Sequence, residues 1–262
     1  MARNKRNPIK LAEKWEKKKK HYACGKDYEP FIRVWDFSSN GLRRRLTSWT
    51  AGRLHHLMSM NEIRAFYILD ANPSVIDIRE QYPLLPVLET KSIAASLGVL
   101  HSYGDIEHVY TTDFLVTLQG RMVAISIKPD RELLNKRTQQ KMCIEREYWR
   151  RRDIEFRVVT DSQLCKKQAL SIALVHRYRN HPLPMVRGEF NEVAEGIFKR
   201  NFHPHNQPIS SICLDVDRDY DLRFGTALTV TKFCLANDYW RLRPGTFFSP
   251  RLQLKLEESI YA

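Results

Sequence analysis

Hydrophobic and polar positions alternate most clearly between residues 110 and 129. Tyr110-Thr111-Thr112-Asp113-Phe114-Leu115-Val116-Thr117-Leu118 and Arg121-Met122-Val123-Ala124-Ile125-Ser126-Ile127-Lys128 are rich in β-branched and apolar residues, and Gln119-Gly120 separates them. The pattern predicts two strands joined by a tight turn. A two-residue turn sets Asp113 opposite Ser126. Paired and alternate residues share a face, so Asp113, Ser126 and Lys128 are expected to point the same way. A carboxylate and a lysine on one face of a core hairpin have two explanations. One is a salt bridge at a strand end. The other is a phosphodiesterase site, in which a carboxylate holds a hard divalent cation and an ammonium orients the attacking water or offsets charge on the phosphate.

Around this hairpin the periodicity predicts further elements. Ser59 and Glu62 have capping-box spacing, and Ile63, Phe66, Tyr67 and Asp70 then fall along one helical face. By that reading Glu62 is a helix cap. Residues 31–35 and 75–81 read as strands, the second closed by Pro83 and Pro86. Residues 90–108 read as a loop with one short helix. Residues 131–152 read as a long charged helix carrying Leu134, Met142, Glu145, Tyr148 and Trp149, followed by a strand over 154–159. The order helix, strands, helix, strand makes an α/β fold, a mixed sheet flanked by helices, over residues 1–161. From 162 to 262 four helices are expected, over 163–178, 186–200, 209–216 and 226–236. Short strands at 239–243 and 252–256 surround Pro244-Gly245. Helices followed by a small hairpin suggest a winged-helix module that binds DNA or protein; a purely structural cap is the alternative. No internal repeat is visible.

Composition narrows the function. The 262 residues are 43% hydrophobic and carry a net charge of +13, so the chain should fold and favour polyanionic partners. No apolar run approaches the length of a spanning helix, which favours nucleic acid over membrane. Residues 1–8 lack the apolar core of a secretory signal. Lys10, Lys14, Lys17, Lys18, Lys19 and Lys20 form a basic run that is either a solvated helix or a contact to a phosphate backbone. Arg43, Arg44, Arg45 and Arg53 are further DNA-binding candidates. Five widely spaced cysteines argue against a disulfide framework or a zinc knuckle, and predict reduced, mostly buried thiols in a cytoplasmic protein. The nine histidines show no His-Glu-x-x-His pattern, and His203-Pro204-His205 reads as a loop. Neither a Walker loop nor a Gly-x-Gly-x-x-Gly motif is present.

Several strings taken together resemble the TnsA family, the endonuclease subunits of heteromeric Tns-type transposases. They are Gly25-Lys26-Asp27-Tyr28, Thr50-Ala51-Gly52-Arg53-Leu54-His55-His56-Leu57, Asp77-Ile78-Arg79-Glu80-Gln81-Tyr82-Pro83-Leu84-Leu85-Pro86, Thr112-Asp113-Phe114-Leu115-Val116, Ile127-Lys128-Pro129 and Glu145-Arg146-Glu147-Tyr148-Trp149. The Asp77 to Pro86 string is the most specific of these, and the last third of the chain matches only in length and general pattern. The resemblance implies a restriction-endonuclease-like fold followed by a small winged-helix-like domain. It implies a bacterial, cytoplasmic protein that cleaves the 5′ ends of a transposon. Its implied partners are a DDE-type transposase subunit, TnsB, which cuts and joins the 3′ ends, and an AAA+ ATPase regulator, TnsC. Glu62, Asp113 and Lys128 take the catalytic positions, with Glu62 and Asp113 as ligands for Mg²⁺, two ions per site, and Mn²⁺ as substitute. Where the family usually has Gln two residues before the lysine, this chain has Ser126, which leaves that side chain an accessory role at most. Besides a transposase endonuclease, the residues leave open a stand-alone restriction or repair nuclease and a non-catalytic assembly subunit.

Overall fold

The computed structural model describes residues 7–36, 42–101, 108–179, 181–182, 185–202 and 207–257. The chain divides into two units, Met1–Cys165 and Lys166–Ala262. In chain order the first holds α1 (Pro8–Lys17), β1 (Arg44–Thr47), β2 (Leu54–Leu57), α2 (Met60–Asp70), β3 (Val75–Pro83), α3 (Val87–Ser96), β4 (Thr111–Leu118), β5 (Arg121–Lys128), α4 (Lys136–Arg150) and β6 (Glu155–Thr160).

The four-stranded sheet runs β3-β4-β5-β6. The first three strands are antiparallel, and β6 lies parallel to β5. A parallel neighbour needs a long crossover, which α4 supplies. The β4–β5 turn falls at Gln119-Gly120, with Gly120 at φ 84°, and the pairing Phe114↔Ile125 carries the predicted register towards Asp113 and Ser126. Leu115 and Ala124 pack into a core with Tyr82, Leu84, Ile93, Ile144, Tyr148 and Trp149. The tyrosine and tryptophan keep their polar tips satisfied: Tyr148 Oη donates to the Leu85 carbonyl at 2.8 Å, and Trp149 Nε1 to Thr112 Oγ1 at 2.8 Å.

Several elements differ from their sequence expectation. Residues 31–35 are not a strand. Phe31 packs edge-on against Trp15 of α1, with ring centroids 5.3 Å apart, and Val34 N donates to His56 Nδ1 at 3.2 Å. Its amide is satisfied by a side chain, so no neighbouring strand is needed. The long helix starts at Lys136, where the Asn135 side chain caps the amides of Arg137 and Thr138; Leu134 precedes it and is exposed. The strand beginning at Val75 runs on through Pro83, an edge position where a missing amide costs no ladder bond. The basic run forms a helix that buries Ala12 and Trp15. Cys24, Cys143 and Cys165 are exposed and only Cys213 and Cys234 buried, so the thiols are free, as expected, but not mostly buried. His203-Pro204-His205 lies outside the described residues.

The second unit holds α5 (Lys166–Val175), α6 (Arg187–Asn201), α7 (Ile209–Asp219) and α8 (Thr226–Ala236). Val193 and Ile197 of α6, Ile212 and Val216 of α7, and Val230 and Phe233 of α8 make its core. The two short strands predicted after α8 reduce to one bridge, Leu242↔Leu256. The winged-helix expectation keeps its helices but not a two-stranded wing among the described residues.

Candidate active site

Asp113 stands near the start of β4, and three groups from β5 converge on one of its oxygens. Oδ2 accepts from Ile127 N at 2.6 Å, from Lys128 Nζ at 3.2 Å and from Ser126 Oγ at 3.4 Å. The predicted meeting of Asp113, Ser126 and Lys128 therefore forms. Among the described residues Oδ1 takes part in no hydrogen bond. Ser126 is fully buried, so its hydroxyl serves Asp113 and Glu145 rather than an open cleft.

Glu62 reaches the same place from the first turn of α2. Ser59 caps the helix as the spacing predicts, its Oγ accepting from Glu62 N at 3.2 Å. The reciprocal half of the capping box is displaced by one residue: Glu62 Oε2 accepts from Met58 N at 2.9 Å. The same oxygen accepts from Gln81 Nε2 at 3.2 Å. Met58 and Gln81 both hold Oε2, and the Ser59 side chain also bonds to the carboxylate, so capping draws mainly on one of the two oxygens.

A third carboxylate, Glu145 of α4, completes the cluster. It is buried and accepts from Thr112 Oγ1 at 3.2 Å. Sequence reasoning assigned it no chemistry. The available signal was a lone acid on the buried stripe of a charged helix, three and four residues before Tyr148 and Trp149.

The electrostatics follow from three acids sharing one cation. Burial, and after it the charge of Asp113, raises the Glu62 carboxyl above its ordinary 4.5. Burial pushes Glu145 up to about 7, with Lys128 opposing and Asp113 reinforcing the shift. For Lys128 burial pulls the other way, but the charges of Asp113, Glu145 and Glu62 prevail and hold it at about 12. Lys128 is therefore an ammonium at neutral pH, a donor and counter-charge rather than a proton acceptor.

This surplus of negative charge, with the Asp113 Oδ1 and Glu62 Oε1 atoms outside the Oδ2 and Oε2 bonds described above, fits a divalent cation. Among the described residues no three Asp, Glu, His or Cys side chains form a group that could hold a metal by themselves. The fit is therefore to an ion that takes one or two carboxylates and completes its shell with water, backbone carbonyls and substrate oxygens, as Mg²⁺ does.

The predicted DNA-binding residues separate into two kinds. Lys17, Lys18 and Lys19 follow the buried face of α1 and are exposed, as are Arg44 and Arg45 of β1. Lys20 pairs with Glu29 at 3.3 Å, and Arg43 donates to the Val34 carbonyl at 2.5 Å. Arg53 corrects its expectation. Its side chain is buried, and its two terminal nitrogens lie 3.0 and 2.5 Å from the Glu80 carboxylate, so it is a partner of Glu80 and not a surface for phosphate.

A mixed sheet flanked by helices is consistent with an endonuclease-like α/β fold, and residues 72–161 match the family described as "TnsA-like endonuclease N terminal". That match includes Asp113, Ser126, Lys128 and Glu145, and begins beyond Glu62. The chain belongs to the TnsA family: over 220 residues it is 31% identical to the transposon Tn7 transposition protein TnsA of Escherichia coli, covering 82% of this chain and 79% of that protein.

Proposed function

We propose that this chain is the endonuclease subunit of a transposase, hydrolysing the phosphodiester at the 5′ ends of a transposon in a divalent-metal-dependent reaction. The observation that carries the reading is the convergence of Glu62, Lys128 and the half-satisfied Asp113, a constellation with more negative charge than its own cation balances. Membership in the TnsA family supports the transposase context. Glu62 and Asp113 would hold Mg²⁺, or Mn²⁺, through Oε1 and Oδ1. The bound ion would supply charge stabilisation for the phosphoryl oxygens. A second ion would need its ligands mostly from the DNA, since the position two before the lysine is Ser126.

Each side chain then has a defined part. Lys128, kept protonated by its acidic neighbours, donates to the attacking water or to a phosphoryl oxygen as charge grows there. Glu145 holds Lys128 in its charged state. Asp113 Oδ2 orients Lys128 while Oδ1 remains for the cation. Exposed Lys17, Lys18, Lys19, Arg44 and Arg45 would bind phosphates without reading sequence, so recognition of the ends falls to a DDE-type TnsB partner, with a TnsC-type ATPase as regulator. Among the described residues no helix is long and apolar enough to cross a membrane, and a cytoplasmic setting belongs to the same proposal. The second unit is read as the winged-helix-like docking part on the strength of its helices. The test is cleavage of end-labelled transposon DNA by this chain with its partner transposase and Mg²⁺. A 5′-strand cut that needs the metal and this chain is expected; a complex that joins 3′ ends and never cuts 5′ strands would overturn the reading.

A further inference from the structure

The string Asp77 to Pro86, the most specific in the sequence, contributes no side chain to the cluster described above except through Gln81. The β3–β4 register pairs Glu80 with Phe114 and Tyr82 with Thr112, which puts Gln81 across from Asp113. There the backbone of Gln81 is left-handed, at φ 50°, a region that side chains other than glycine rarely occupy and that clusters at functional sites. The residue is buried, and its amide spans two elements. Nε2 donates to Glu62 Oε2 at 3.2 Å, and Oε1 accepts from Thr111 Oγ1 at 3.4 Å. An ordinary strand conformation would keep the residue in the ladder. The unusual backbone coincides with a side-chain amide bonded to the carboxylate of another element.

We propose that Gln81 is a positioning residue for the cation site: its amide occupies Oε2 of Glu62 so that Oε1 is the oxygen presented beside Asp113, and the left-handed backbone is retained to aim it. This rests on the proposed function, and extends it to a residue without a charge. Met58 N fixes the same oxygen from the segment that leads into α2, so Glu62 is gripped between that segment and β3. Removing partners that hold a metal ligand typically weakens metal binding about 10- to 100-fold.

The test uses the full chain without DNA, so that binding is read apart from cleavage. Thermal melting is followed as Mn²⁺ is titrated into wild type, Gln81→Gly and Gln81→Asn. Glycine accepts the left-handed backbone and asparagine tolerates it, so both variants keep the conformation while losing the reach of the amide. In EDTA both should melt within a few degrees of wild type. The Mn²⁺ concentration for half of the thermal shift should rise at least about tenfold in both, and the Mn²⁺ requirement for cleavage should rise in parallel. If either variant binds Mn²⁺ like wild type, Gln81 is not a positioning residue. If both unfold in EDTA, its role is structural and the inference falls. If wild type shows no Mn²⁺-dependent shift without DNA, this inference falls, while the proposed function is still decided by the 5′-cleavage assay.

Discussion

Two sets of acidic side chains in the first unit meet at consecutive residues of β3, and they have opposite characters. Glu80 is wholly buried and fully answered. Arg53 grips both its oxygens, His55 Nδ1 lies 2.9 Å away, and His56 N donates to it at 2.9 Å. Burial alone would raise its carboxyl, yet the His55 and Arg53 partners bring it down to about 2. Next to it, through Gln81, lies the Glu62–Asp113–Glu145 cluster, with Lys128 as its cation and two of its carboxyls held high. The same burial gives opposite outcomes because one group has enough positive partners and the other does not. A carboxylate satisfied by its own chain supports the fold. A cluster left short of positive charge is ready for a cation and a phosphate from outside.

The largest test of this contrast is Asp113→Ala. Loss of a cation ligand is expected to lower single-turnover 5′ cleavage about a thousandfold, or about 4 kcal/mol, while melting changes little because like-charge crowding is relieved as a hydrogen bond is lost. A variant cutting at the wild-type rate would remove Asp113 from the site. Glu80→Gln should act on stability instead. It leaves Arg53 buried without its counter-charge, which costs about 3 kcal/mol and lowers the melting temperature by roughly 6–12 °C. Unchanged melting would show that the Arg53–Glu80 pair is not the support described here.

pH separates the two groups by sign. Glu62 and Glu145 have folded-state carboxyls above their ordinary 4.5, so without metal their contribution to stability falls as pH rises from about 4.5 through about 7. A cation displaces those protons, so the stabilisation produced by Mn²⁺ should grow over this window. A gain that is constant or shrinks with pH would contradict the assignment. His21 and His56, whose values burial lowers, act with the opposite sign, but they contribute to metal-free and metal-loaded protein alike and cancel in the difference. Glu80, held at about 2, gives stability that is complete above 4.5 and lost as pH falls towards 2. The smallest effect is expected for Ser126→Ala. Its 3.4 Å bond to Asp113 is one neutral donor among three, worth about 0.5–1.5 kcal/mol in cleavage, against a much larger loss for Lys128→Ala. Equal inactivity of the two variants in single-turnover assays would make Ser126 a direct participant.

Much of the site was legible before the fold. The period-two pattern and the Gln119-Gly120 turn set a register that brings Asp113 to Ser126 and Lys128, since strand pairing follows from sequence spacing once the turn is placed. The β1–β2 hairpin was not legible. It has only four residues per strand, and its burial runs from an exposed Leu54 to a buried Leu57 without the alternation that marks a strand. Residues 31–35 misled in the other direction, because an apolar run looks the same whether its amides bond to a strand or to His56.

By itself, then, the sequence determined what depends on neighbours along the chain: the hairpin and its register, the Ser59 cap, and the excess of basic charge. Only the tertiary structure decided which charges are answered. Arg53 reads as surface and is consumed by Glu80, 27 residues away; Glu145 reads as a helix face and lies beside Lys128; Gln81 reads as a strand position and bonds to Glu62. The reason is physical. A carboxylate's state is set by the dielectric and the charges within a few ångströms, and those come from elements that meet only when the chain has folded.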